Sequence, residues 1–371
     1  MHKITFYPLG NADCCEIDLS NGQKLLFDYA HSQEGESDDD LRIDLAKTLH
    51  EDLENDDRNY FDVVAFTHAD DDHVRGFSDF FYLEHSGKYQ DDDRIIINEL
   101  WVPAAMIVEE GLKNDAKVLR AEARHRLKKG KGIRVFSRPD RLKDWLKKEG
   151  LEIEDRKHLI TDAGNLVPGF NKGKDGVEFF VHSPFAAQVN DNMEDRNESA
   201  LILHATFEID SRETKFMIIG DSTHDVLADI VNITKKRNRK SRLEWDVYSV
   251  PHHCSYLSLS DEKGKSKTTP VNEVDWLLKQ GANKCILVSS SDVIPIEDTD
   301  QPPHRQAAKY YKEIGNDKNG EFKVTMEHPK VSKPKPLIIK IDKWGATLEK
   351  LIISSGGSAT SQSPPRAGKV K

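Results

Sequence analysis

With 371 residues the chain is long enough for one large domain or two ordinary ones, with ample core. Charged residues make up 32% of it and the mean hydropathy is -0.65, and no window approaches the roughly 18 apolar residues that a membrane span needs, so a soluble, non-membrane protein is expected. The formal net charge of -10 argues against broad coating by nucleic acid and leaves local patches to consider, notably the basic tracts 120–134 and 235–242.

In chain order, short strands are expected over 4–8, 14–19 and 24–28, the last two joined by an Asn21-Gly22 hairpin turn. The start runs straight into this strand pattern, without the apolar region or cleavage site of a signal peptide, which points to the cytoplasm. Residues 32–40 are acidic and polar, hence a loop, and 41–53 has apolar residues at helical spacing. A buried strand over 62–66 leads into Thr67-His-Ala-Asp-Asp-Asp-His-Val-Arg-Gly76 and a helix over 72–82. After a strand at 95–101, the stretch from about 105 to 165 reads as a charged, largely helical insertion. Strands are expected over 177–182, 200–208, 216–219, 246–250 and 284–289, then a helix over 304–314 and strands over 322–326 and 337–341. From 354 the composition turns to Ser, Gly, Pro and Ala, which reads as a disordered tail. Cys14, Cys15, Cys254 and Cys285 do not suggest a disulfide framework and read as free thiols.

Several of these strands end in a residue able to bind metal: Asp28; His68, Asp70, Asp72 and His73; Asp221; and the pair His252 and His253. Two imidazoles and three carboxylates within six residues make poor core and a good cation cradle. A two-metal hydrolytic site needs imidazoles and carboxylates in one dry hollow, one carboxylate to bridge, and an open position for water that ionises near neutral pH. Alternate residues of an extended turn share a face, so His68 and Asp70 can reach one metal, while Asp72 and His73 at the helix start reach the other. Asp221, after a glycine, suits the bridge. His224, three residues on, is a lesser candidate for a supporting role.

The chain resembles a metallo-β-lactamase-fold hydrolase, most of all the hydrolase domain of the ComEC/Rec2 competence family. The resemblance rests on Leu9-Gly10-Asn11-Ala12-Asp13, on Thr67 to Gly76, on Gly220-Asp221 and on Pro251-His252-His253-Cys254-Ser255, with weaker matches at Asn197 to Leu203 and at Pro303-His304. It implies an α/β (α+β) αββα sandwich over 1–350, one or two Zn²⁺ ions, and a metal-activated hydroxide that cleaves a phosphodiester such as DNA. It implies that Asp72, Asp221 and His253 carry the chemistry, that His252 or His253 completes the metal shell, and that Asp28 orients a ligand histidine. Asn197, Ser199 and His304 would lie near the substrate. A setting among partner proteins of a multi-gene system follows from the same likeness.

Two departures bear on the metal. Asp70 stands where the family has a second histidine, which could favour Mn²⁺ or leave one metal only. Cys254 replaces a glycine and reads either as a tolerated small residue or as a thiolate ligand. Two other readings stay open: hydrolysis of a lactone, thioester or small phosphoester on the same fold, and a catalytically weak scaffold or nucleotide sensor.

Overall fold

The structure is a computed structural model that describes residues 1–32, 40–186 and 199–350. The expected tail from 354 lies outside these described residues.

Alternating strand residues go to opposite faces, and this sorts the apolar side chains into three layers. Leu25 and Phe27 of β3 (Lys24–Phe27) and Val63 and Ala65 of β4 (Tyr60–Ala65) join one buried cluster with Phe216 and Ile218 of β11 (Arg212–Ile219). Their strand neighbours Leu26, Phe61 and Val64 turn outward, under the helix Leu45–Asn55. Met217 and Ile219 turn outward on the other side, under the helices His224–Lys236, Asn272–Leu278 and Arg305–Asp317. The result is helix, sheet, sheet, helix: the αββα sandwich expected from the sequence.

The larger sheet adds β1 (His2–Phe6), β2 (Cys15–Asp18), β5 (Phe81–Tyr82), β6 (Ile95–Pro103), β7 (Ile133–Phe136), β8 (Ile160–Thr161), β15 (Leu337–Asp342) and β16 (Gly345–Leu348). Its order is β16-β15-β1-β2-β3-β4-β6-β7-β8, with β5 paired to β6. The smaller sheet has the order β14-β13-β12-β11-β10-β9, built from β9 (Val177–Ser183), β10 (Ile202–Ile209), β12 (Trp245–Val250), β13 (Gly281–Ser289) and β14 (Glu321–Val324) as well as β11. Trp101 of β6 sits in the middle layer, edge-on to Phe136 and Phe179 with ring centroids 5.6 Å away in both cases.

Two local expectations differ from the structure. The helix expected over 72–82 is two short helices, Asp71–Val74 and Phe77–Phe80, because Gly76 takes a left-handed φ of 85° between them. The segment 105–165 is helical over Asn114–Lys129 and Asp140–Lys148, yet it also extends the larger sheet through β7 and β8, so it is part of the sandwich.

Candidate metal centre

Each candidate group leaves the C-terminal end of a strand: Asp28 follows β3, His68 follows β4, Asp221 follows β11, and His252 and His253 follow β12. Pairing is parallel between β3 and β4 and between β11 and β12, so both sheets deliver these ends to one edge.

Asp28 organises the cluster. Its own N–H donates to the Ala65 carbonyl at 2.7 Å, and its φ of 55° turns the carboxylate inward. Oδ1 accepts the Thr67 N–H at 2.7 Å; Oδ2 accepts the Thr67 hydroxyl at 2.7 Å and the Nδ1–H of His73 at 2.9 Å. Because the Thr67 hydroxyl donates to Asp28, it can only accept from His68 Nδ1, 3.1 Å away. One carboxylate thereby sets the tautomers of two imidazoles and aims both Nε2 atoms at the same hollow. His253 is set in the same way: its Nδ1–H donates to the Ser290 carbonyl at 2.7 Å.

The Nε2 atoms meet carboxylates. His73 Nε2 lies 3.4 Å from Asp221 Oδ1 and 3.7 Å from Asp13 Oδ2. His253 Nε2 lies 3.0 Å from Asp72 Oδ2 and 3.8 Å from Asp221 Oδ1. His252 Nε2 lies 3.6 Å from Asp221 Oδ2, and His68 Nε2 lies 3.5 Å from Asp70 Oδ2. Two groups share His73: His68, Asp72 and His73, and Asp13, His73, Asp221 and His253, each with its donor atoms within 4.8 Å of one another. His68 Nε2, His73 Nε2 and Asp221 Oδ1 are buried without a hydrogen-bond partner. Orphaned buried polar atoms are rare, and three that converge with further carboxylates fit a divalent cation.

The electrostatics agree. Burial alone would lower the imidazole pKa values, but the carboxylates overturn this: Asp28 and Asp221 hold His73 well above its ordinary value. Asp221, Asp72 and Asp13 raise His253 to about 10. Burial opposes ionisation of Asp72 and Asp221, yet the histidines hold both below the usual carboxylate range. Burial raises Asp13 to about 6 despite the nearby His253 and His73. The pocket therefore attracts positive charge strongly.

Close packing between the sheets places these groups. A Cβ on Gly220 would collide with the Thr67 hydroxyl and come within 2.7 Å of Thr67 Cβ, so only glycine lets the end of β11 approach the motif. The turn after β12 is strained: His252, His253 and Cys254 have φ values of 51°, 48° and 67°. Left-handed backbone costs roughly 1–2 kcal/mol per non-glycine residue. The turn is held by the Ser255 N–H to the His252 carbonyl at 2.8 Å and the His304 N–H to the Cys254 carbonyl at 3.1 Å. Cys254 itself is buried in the outer apolar layer, where burial raises its thiol pKa, so the thiolate alternative is not supported.

The other candidates are placed as follows. Asp28 uses both carboxylate oxygens as a support. Asp70 stands at the residue before the helix Asp71–Val74 without a side-chain bond to its first turn, 3.5 Å from His68, and belongs to neither tight group. Ser199 is buried, two residues before Leu201, whose N–H donates to the Thr67 carbonyl at 2.8 Å. His304 accepts the Tyr256 N–H at 3.4 Å and lies close enough to His252 to feel its charge. Asn197 lies outside the described residues. His224 turns away from Asp221 and pairs with Asp261 at 3.0 Å. The sequence reading did not single out Asp13 as a ligand. Its loop is tied to the motif by the Asp13 N–H to the Asp72 carbonyl at 3.0 Å, and its one sequence signal was a Gly-Asn-Ala-Asp loop after the first strand. Beside the cluster lies a hollow of about 470 Å³, with Asp72, Asn11, Arg42, Arg75 and Asp292 on its walls.

No family model matches the chain, and no curated protein matches it. Among solved structures it is similar to unliganded yeast PDE1, at 9% identity over 87% of this chain and 96% of that one, with a TM-score of 0.43. It is also similar to a diphosphatase from the PhnP family, at 8% identity over 94% of this chain and 100% of that one, with a TM-score of 0.34. A long form of RNase Z from yeast matches at 13% identity over 81% of this chain and 39% of that one, with a TM-score of 0.33.

Proposed function

We propose that the chain is a metal-dependent phosphodiesterase or nuclease. The observation that carries this reading is the convergence of His68 Nε2, His73 Nε2 and Asp221 Oδ1, buried and unpartnered, with Asp13, Asp72 and His253 at one edge of the sandwich. His68, Asp72 and His73 would hold one cation, Zn²⁺ or Mn²⁺; Asp13, Asp221 and His253 would hold a second, or would share His73 in place of the first group, since its one free nitrogen serves a single cation. Such cations would neutralise phosphoryl oxygens and supply a water that ionises near neutral pH. Asp28 would keep the imidazoles in register, and Asp221, whose oxygens lie 3.4 Å from His73 and 3.8 Å from His253, would supply the carboxylate a bridge requires. Asp72 belongs to the cluster and also lines the hollow, so it can orient a water toward a phosphorus held there. Arg42 and Arg75 on the wall of that hollow are paired with Asp40 and Asp71, so the preference for a phosphodiester over a neutral lactone or thioester rests on the motif resemblance. DNA as the substrate, and partner proteins of a multi-gene system, rest on the motif resemblance to the competence hydrolase domains.

The test is hydrolysis of bis-p-nitrophenyl phosphate and of single- and double-stranded DNA with Mn²⁺ or Zn²⁺. The wild type should turn over at least one of them, and Asp72→Ala/His73→Ala should lose that activity. Equal turnover by the double variant, or faster cleavage of a thioester or lactone panel, would overturn the reading.

A further inference from the structure

The two basic tracts have different fates. In the first, Arg120 and Arg124 pair with Glu110 at 3.0 and 2.9 Å, Arg126 with buried Glu122 at 2.6 Å, and Lys128 with Glu149 at 3.2 Å. That tract is neutralised within the fold. In the second, Lys236 and Arg237 make no ion pair among the described residues, and they face a groove of about 520 Å³ together with Arg239. The opposite wall is Ala163, Gly164, Asn165 and Phe185, and Ile233 lies on the floor, 39% exposed. No carboxylate lines this groove among the described residues, in a chain whose net charge is -10. Lysines at the end of the helix His224–Lys236 also complement its dipole, but that does not account for an opposing wall without acids among the described residues.

One wall of the groove, at Phe185, lies at the sheet edge that carries the metal centre. Ser183 pairs with Ile202, Ile202 pairs with Ile219, and Asp221 and Phe185 each follow two residues later. The groove meets the helix His224–Lys236 at its last turn, through Ile233 and Lys236, and continues to Arg237 and Arg239 beyond the helix end. Arg239 is fixed in place by donating to the Gly164 carbonyl and lies 5.8 Å over the Phe180 ring. Three cations and an aromatic ring on the walls of one groove suit a flexible polyanion with stackable bases.

We propose that this groove binds single-stranded nucleic acid and guides the strand toward the metal centre, so that the substrate is a polymer and not a small phosphodiester. The proposal rests on the phosphodiesterase reading above for the direction of the strand, but not for the binding itself.

Fluorescence anisotropy of a labelled single-stranded 20-mer, followed across a salt series, tests it. Lys236→Ala/Arg237→Ala should lower the slope of log K against log salt by about 1.4, which is roughly a 20-fold weakening at 0.1 M salt. Phe185→Ala should weaken binding severalfold with the slope unchanged. Hydrolysis of bis-p-nitrophenyl phosphate by these variants should stay within about twofold of wild type. Unchanged oligonucleotide affinity in the double variant would overturn the proposal, as would displacement of the 20-mer by polyglutamate as readily as by unlabelled oligonucleotide. A wild type that binds the 20-mer but hydrolyses no phosphodiester would sink the enzymatic reading and leave the groove standing.

Discussion

His73 Nδ1 lies 2.9 Å from Asp28 Oδ2, and the same oxygen takes the Thr67 hydroxyl that in turn meets His68. Every contact on Asp28 comes from a donor. An Asp28→Asn substitution must turn an amide NH₂ against one of them, and this disorders both imidazoles at once. Affinity for Mn²⁺ or Zn²⁺ should fall about 10–100-fold by titration calorimetry, with the far-ultraviolet spectrum unchanged. Wild-type affinity in this variant would mean that the imidazoles are oriented by something else.

Gly220 is the second mechanical element. Gly220→Ala would bring a Cβ within 2.7 Å of Thr67 Cβ, so the end of β11 and the motif must separate. The expected outcome is weaker metal binding together with a lower Tm, because Asp221 moves with its neighbour. A variant with native metal affinity would show that the two sheets have slack at this edge.

Trp101 anchors the middle layer on which β4 and β11 rest. It is fully buried against Phe136 and Phe179 and donates its indole N–H to Glu99 at 2.9 Å. Trp101→Ala should cost about 3–5 kcal/mol in urea unfolding. A loss under 1 kcal/mol would contradict the packing described.

Acid stability depends on a pair of histidines away from the metal centre. Burial lowers His182 to about 4 and His204 to about 3, and their Nε2–H groups donate to the carbonyls of Arg242 and Glu244, each at 2.9 Å. Above the unfolded value of about 6.5 both states carry neutral rings, so neither histidine makes stability pH-dependent there. Below it the unfolded chain takes up protons that the folded chain refuses. Stability should therefore fall by about 1.4 kcal/mol per pH unit for each histidine between pH 6.5 and about 4. His182→Gln/His204→Gln should flatten that decline in urea midpoints measured across the range; an equally steep decline would place its origin elsewhere.

The motif residues were legible because the chemistry crowds into Thr67–Gly76 and because Gly220-Asp221 and His252-His253 end recognisable apolar runs. Asp13 was not, since a lone carboxylate in a loop has no spacing to betray it; only the fold brings it to His73. The break at Gly76 was visible as a residue but masked by apolar spacing that continues through Phe77, Phe80 and Phe81. Strand β7 was hidden for the opposite reason: Ile133 to Phe136 is four residues long inside a heavily charged stretch, and it becomes a strand by pairing with β6. His224 shows the limit of reading by proximity: three residues after Asp221 it opens a helix and turns to Asp261.

The most direct measurement is an anomalous difference map from crystals grown with Mn²⁺ or Zn²⁺. The account predicts a peak about 2.0–2.2 Å from the Nε2 of His73 and from a carboxylate oxygen of Asp221 or Asp72. A map with strong peaks elsewhere and none among His68, Asp72, His73, Asp221 and His253 would contradict it.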